Sequence, residues 1–397
     1  MVLYCDQAAA ARPDEEALEC FVSACRTLYA NQEAVHYGAN EVRRALDDAG
    51  NEMVRLLTGG NEFTVCWCGS GTEAFQLLES TGFLKDRRAV TSNLEHPALT
   101  AMLKRSAREV TELKCTREGR IIPAPGSWDF AAFHAVQSEL GTMQEIPALM
   151  GALPETCVRF TDAVQMAGKT DLAPAAAVSD LIALSGVKFG APGGGALLVR
   201  KNRPWSAAFL KAVSAARHPG YTVPRVHAPE ALSMLCALRN RCARLEENLR
   251  KMRELNAFLR RELAGTDLRF TVPEEVSSPF ILHMFLPGKQ GAVVVRMLSE
   301  RGIWAGSGSA CASESPSGSS ALRAVVSGPH RQHELFHKAV LPLTGGGVVS
   351  EQKTGETPLH LLVGESQPVV AELRIIALYS QITALVKQRD RIGVDGV

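Results

Sequence analysis

Residues 157–201 read CVRFTDAVQMAGKTDLAPAAAVSDLIALSGVKFGAPGGGALLVRK. Three short apolar runs, CVRFTDAV, DLIALSG and GGALLVR, are of strand length and are closed by Asp, Gly or Ser. The same pattern extends toward the N-terminus. EFTVCWC is predicted to be a strand leading into the helix TEAFQLLES, RAVTSNL a strand before a helix that starts near Pro97, and WDFAAFHAV a further strand. Alternation of buried strands with helices predicts an α/β fold, a large and mostly parallel sheet with helices on both faces. Ligands of such sheets sit beyond the carboxyl ends of the strands, so the loops after the strands are where chemistry is expected.

Four of those loops carry reactive or polar groups. In CGSGTEA, Gly69, Ser70, Gly71 and Thr72 stand between strand and helix, where free amides and the helix dipole attract phosphate; a plain tight turn is the alternative. NLEHPAL puts His96 just ahead of a helix, with a bland loop histidine as the competing reading. FTDAVQMAGK ends a strand with Asp162 and Gln165, and an Asp there also suits a cap or turn. LSGVKFGAPGGGALLV holds Lys188 between an apolar strand and a glycine-rich turn, where desolvation would favour the neutral amine that Schiff-base chemistry uses; a solvated loop lysine is the alternative.

The second half of the chain changes character. Residues 229–264 are helical in pattern and predict a long helix leaving the sheet domain, followed by the strand PFILHMFLP and the helix AVVVRMLSERG. Then comes GSGSACASES, from Gly306, which holds Cys311 among residues too small to build a core. A cysteine on such a tether can reach a partner, unlike one kept for packing. Residues 328–358 read as an extended loop, and PVVAELRIIALYSQITALVKQR as a final helix. The expected division is 12–245 for the large domain, with 1–11 and 246–397 as a smaller α+β domain carrying the Cys311 loop.

Composition bounds the function classes. The chain has 397 residues, 46% hydrophobic and 21% charged, with a formal net charge of +1, so no polyanionic partner is favoured and no direct nucleic-acid role is expected. The start MVLYCDQAAAARPDEE lacks a signal-peptide pattern and no apolar run approaches the ~20 residues of a membrane span, which predicts a cytoplasmic protein. Ten cysteines scattered along a long chain read as reduced thiols. Cys66 and Cys68 alternate along a strand and so share a face, which favours core packing over metal binding. His330, His333 and His337 have helical spacing, but no acidic or cysteine ligand lies close by, so no metal is expected.

The order of these motifs resembles the class V aminotransferase-like pyridoxal-phosphate enzymes of fold type I, and with SGSAC it is similar to a long-loop cysteine desulfurase. The likeness runs through YCDQAAAARPDEE, GSGTEA, LEHPAL, ELGTMQEI, TDAVQMAGKTDL, SGVKFGAPGGGALLVRK, SGSACAS and ALRA. It implies pyridoxal 5'-phosphate as cofactor, with Lys188 bonded to its aldehyde, Asp162 on the ring nitrogen, Gln165 on the phenolic oxygen and His96 stacked on the ring as a proton carrier. Gly71, Thr72, Ser185 and Thr222 would hold the phosphate, Ser138 would face the cofactor, and Asn31 and His360 would contact substrate. The implied reaction turns L-cysteine into L-alanine and leaves a persulfide on Cys311. The sulfur would pass to an acceptor protein, an iron–sulfur scaffold or a thiolation factor, from a homodimeric enzyme.

Three positions depart from the family pattern. Val187 replaces the histidine of SGHK and offers no donor to a phosphate, and Ser138 replaces an asparagine in QSELG. His360, in HLLVG, stands where an arginine clamps the substrate carboxylate; one imidazole contact in place of a bidentate pair weakens binding by about 2 to 3 kcal/mol. RHPGYTVP likewise alters the usual RSGT loop around Thr222. A catalytically impaired paralogue acting as a binding partner, or a related class V enzyme with another amino-acid substrate, are the alternatives.

Overall fold

β-Branched and aromatic residues fill short stretches of the chain's first half, and each stretch is closed by a turn former, which suits buried strands linked by helices. The computed structural model describes residues 2–216, 226–287 and 291–308 and the backbone of 336–339. In chain order the elements are β1 (Leu3–Tyr4), α1 (Glu15–Thr27), α2 (Tyr37–Thr58), β2 (Phe63–Cys68), α3 (Gly71–Ser80), β3 (Arg88–Ser92), α4 (Pro97–Ser106), β4 (Glu109–Leu113), β5 (Phe130–His134), α5 (Ile146–Gly151), β6 (Val158–Asp162) and α6 (Ala173–Val178). There follow β7 (Leu181–Ser185), β8 (Gly195–Arg200), α7 (Ser206–Ala216), α8 (Ala228–Ala243), α9 (Leu245–Leu263), β9 (Arg269–Phe270), β10 (Leu282–Phe285), α10 (Gly291–Ser299), β11 (Ile303–Trp304) and β12 (Phe336–Ala339).

The large sheet has seven strands in the order β2-β8-β7-β6-β5-β3-β4. β4, β3, β5, β6 and β7 run parallel, whereas β8 is antiparallel to both β7 and β2. The reversal lets the carboxyl ends of β2 and β7 lie on one edge, on either side of Gly195 at the start of β8. That approach demands a glycine: a Cβ at Gly195 would stand 2.3 Å from the carbonyl oxygen of Ser70.

Period-two alternation sorts the strand side chains onto two apolar faces. Ala131, Phe133, Ile182, Leu184 and Leu198 pack with α2, α5, α6 and α8 on one side. Phe130, Ala132, Phe160, Leu181 and Leu197 pack with α3, α4 and α7 on the other. Cys66 and Cys68 both belong to this second layer, so the shared face expected of them is core. A third cluster joins Cys5 and Ile303 to Leu249, Met252 and Leu259 of α9 and to Leu282 and Met284 of β10.

Two expectations change. The single long helix is two, broken at Arg244 (φ −115°, ψ 19°). Neither Pro nor Gly causes the break. α8 buries Met234 and Leu238 against the large sheet, whereas α9 buries Leu249 and Leu259 in the third cluster, and the turn redirects the apolar stripe from one to the other. Within the stretch read as a loop, Phe336–Ala339 form β12, antiparallel to β10, so His337 lies in a strand opposite Met284 and not on a helical turn. His330, His333 and the final predicted helix lie outside the described residues.

Candidate active site

The carboxyl edge of the sheet lines up Cys68, Ser185, Asp162, His134 and Ser92, and the loops that follow converge there. The first is the β2–α3 turn. Ser70 is the N-cap: its Oγ accepts from the Glu73 amide at 3.1 Å, and Glu73 reaches back to accept from the Gly69 amide at 2.8 Å. This reciprocal cap leaves the amides of Gly71 and Thr72 facing the mouth of the helix, where the dipole favours an anion. Gly71 is held tightly, since a Cβ there would stand 3.1 Å from Ser185 Cβ and from Val164 Cγ2. Residues from three loops thus meet at Gly71.

Asp162 ends β6, buried, and its Oδ1 accepts from the Val164 amide at 2.9 Å. Burial lifts its pKa from the ordinary 3.8 to about 6, with the Glu95 carboxylate adding to the rise while the Val164 amide and Lys188 oppose it. Such a carboxylate is short of a cationic partner. Gln165 has a fixed orientation: its Nε2 donates to Ala8 O at 2.8 Å and its Oε1 accepts from buried Lys169 at 2.8 Å. Lys188 lies on the single 3-10 turn after β7 and donates from Nζ to Ala9 O. The Ala11 amide donates to Val187 O at 2.7 Å, so residues 8–11 lie across Gln165 and Lys188.

His96 caps α4, its Nδ1 accepting from the Ala98 amide at 3.2 Å, which leaves the ring proton on Nε2. Its ring leans on Phe75 of α3 at 6.3 Å between centroids. Ser138 is half-buried on the turn after β5, which Gln137 ties to the His96 loop through Nε2 to Leu94 O at 3.2 Å. Gly71, Thr72, His96, Ser138, Asp162, Gln165, Ser185 and Lys188 therefore all lie at the strand ends of one sheet edge or on the segments that follow them. Asn31 stands apart: on an exposed loop, its Oδ1 accepts from the Glu33 amide at 3.1 Å. Cys311, Thr222 and His360 lie outside the described residues.

Several members of the site were not anticipated. Lys169 is four residues after Gln165, and that spacing in QMAGK was a usable signal. The carbonyls of Ala8 and Ala9 carry no side-chain signature. Glu95 and His134 are both buried, with His134 Nδ1 2.8 Å from Glu95 Oε1.

Comparison with known proteins gives the family and the fold. The aminotransferase class-V family model matches residues 3–214. The chain is similar to a cysteine desulfurase of Trichormus azollae, 25% identical over 340 residues covering 82% of this chain and 84% of that one. It is also similar to cysteine desulfurase 2 of Trichormus variabilis, 26% identical over 399 residues and 96% of each chain. Among solved structures, a NifS-like protein superposes with a TM-score of 0.73 at 20% identity, covering 87% of this chain and 95% of that one. The apo cysteine desulfurase of Thermococcus onnurineus superposes with a TM-score of 0.72 at 14% identity, covering 96% and 95%. These likenesses give the fold as type I. With more than half of its length under one family model, the chain belongs to the class V aminotransferases, which are pyridoxal-phosphate enzymes.

Proposed function

We propose that the protein is a pyridoxal-phosphate cysteine desulfurase that moves sulfur from L-cysteine to Cys311. The observation that carries this reading is the convergence of an anion cradle, a buried carboxylate and a lysine on one sheet edge. The residues fit the cofactor on two counts. Gly71, having no Cβ, brings the helix N-terminus close against Ser185, so backbone amides and a hydroxyl that suit a phosphate stand together, and Asp162 is a dry acid whose raised proton affinity suits a protonated ring nitrogen.

When bound, pyridoxal phosphate supplies an electron-withdrawing ring that stabilises negative charge at the substrate Cα. The chain's own groups do the rest. The amides of Gly71 and Thr72 and the Ser185 hydroxyl would hold the phosphate, Asp162 would keep the proton at the ring nitrogen, and Gln165 Nε2 has a second N–H that would serve the phenolic oxygen. Lys188 is the amine that would hold the aldehyde through Nζ and would carry a proton to and from the substrate Cα. His96, with its ring proton on Nε2, would serve as the proton carrier beside the ring. The Cys311 thiolate attacks the substrate sulfur: an S–S bond forms, the Cβ–S bond breaks, its electron pair goes to carbon, and protonation there completes L-alanine.

Two details support the reach of Cys311. The chain leading to it passes Asp6, since a Cβ at Gly306 would be 2.6 Å from Asp6 Oδ1, and Asp6 is two residues from the Ala8–Ala11 segment over the site. From Gly308 to Cys311 the chain can extend about 10 Å. The proposal includes the 12–245 and 1–11 plus 246–397 division, a homodimer and a cytoplasmic setting. Exposed Tyr29, Val35 and Tyr37 suit a subunit contact, and among the described residues no helix is long and apolar enough to cross a membrane. The acceptor would be an iron–sulfur scaffold or a thiolation factor.

The test is spectroscopic and then chemical. Protein loaded with pyridoxal phosphate is expected to show an absorption band near the visible edge that Lys188→Ala lacks, and to release alanine from L-cysteine in a reaction that Cys311→Ala abolishes. Absence of the band would refute cofactor binding. A band without alanine would leave the second reading, an impaired paralogue, which Val187 and Ser138 at the site favour.

A further inference from the structure

Glu95 and His134 play no part in the chemistry above, yet they lie directly behind it. β3 ends at Ser92, whose Oγ donates to Glu95 Oε1 at 2.6 Å, and His134 at the end of β5 places Nδ1 2.8 Å from the same oxygen. The two side chains are only 4% and 0% exposed. His134 is in register with Asp162 across β5 and β6.

Gln144 decides where the proton sits. Its Oε1 accepts from the Ile121 amide at 3.0 Å and its Nε2 donates to Gly119 O at 2.8 Å, which fixes the orientation of the amide. The NH2 group therefore faces His134 Nε2, 3.1 Å away, and that nitrogen accepts. The ring proton is on Nδ1 and is donated to Glu95. Were the shared proton on Glu95 instead, His134 would carry Nε2–H pointed at an NH2 group. Glu95 is consequently the charged member, and its other oxygen, Oε2, is buried with no hydrogen-bond partner among the described residues.

We infer that Glu95 and His134 are positioning residues that set the strength of Asp162 as an acceptor: neutral His134 holds Glu95 ionised, and that fixed charge makes Asp162 a firmer partner for a protonated ring nitrogen. This rests on the cofactor reading above. The Val164 amide, Glu95 and Lys188 act on Asp162, and a charged His134 would oppose Glu95 there. An imidazolium at 134 would weaken Asp162 as a base, and the fixed Gln144 NH2 group offers its Nε2–H no acceptor. The groups acting on Glu95 are Ser92, His134 and the half-buried Cys115, whose thiol is pushed up to about 12 by burial and by Glu95.

The test measures equilibrium binding of pyridoxal phosphate to the cofactor-free protein, beside an analogue in which CH replaces the ring nitrogen. Glu95→Gln and His134→Met are expected to weaken pyridoxal phosphate about tenfold, the equivalent of one pKa unit at Asp162, and to leave the analogue within about twofold. His134→Gln, which can still donate to Glu95 and accept from Gln144, is expected to stay within about twofold for both ligands. Equal losses for the two ligands, or no loss for either, would overturn the inference. If the parent protein binds neither ligand, the cofactor reading fails on its own, and carboxyl carbon NMR of Asp162 still tests the pair: Glu95→Gln should lower its titration midpoint by about one unit, and an unmoved midpoint refutes it.

Discussion

Replacing Asp162 by Asn isolates the cost of holding a carboxylate in a dry site before its cation arrives. Asn keeps an oxygen for the Val164 amide and nearly the same volume, so charge is the main change. In the folded chain the acid's pKa stands at about 6 against an ordinary 3.8. A gap of about 2 units at about 1.4 kcal/mol each makes the ionised group cost about 3 kcal/mol. The sign follows from proton binding: the folded state holds this proton more tightly than the unfolded chain, so stability falls as pH rises from about 4 through about 6. In urea unfolding of the cofactor-free proteins, Asp162→Asn should gain on the parent by about 2 kcal/mol between pH 4.5 and pH 7.5. A stability difference that does not change across that interval would refute the reasoning. Adding pyridoxal phosphate should stabilise the parent far more than the variant, because only the parent has a carboxylate to pair.

Two further substitutions probe the cradle and the core. Gly71→Ala puts a methyl 3.1 Å from Ser185 Cβ and Val164 Cγ2, and should lose about 1 to 3 kcal/mol of stability with at least a tenfold loss of pyridoxal phosphate affinity by titration. Phe160→Ala removes a fully buried ring that meets Phe75 at 5.9 Å and Phe130 at 6.2 Å, and should cost about 3 to 5 kcal/mol by urea denaturation.

Where the sequence was informative, the signal was local. An apolar run followed by a glycine or an acid marks both a strand and the loop at its end, which is why Asp162, Gln165 and Lys188 stand out as candidates from the sequence, whereas Ser185 follows only from the family likeness. β4 was missed because EVTEL, on the sheet edge, interleaves polar residues with its apolar ones and so lacks the continuous apolar run that marks the other strands. The break at Arg244 left no trace because neither Pro nor Gly produces it.

Taken alone, the order of residues determined the α/β class and the family likeness and pointed to most of the candidate site residues, since each depends on spacing within a few turns of chain. Only the folded chain decided what stands around them. The antiparallel course of β8, the Ala8 and Ala9 carbonyls over Gln165 and Lys188, and the Glu95–His134–Gln144 array join residues up to 179 positions apart. Such contacts arise from the packing of whole elements, and backbone carbonyls and buried hydrogen bonds at that range have no local pattern to betray them.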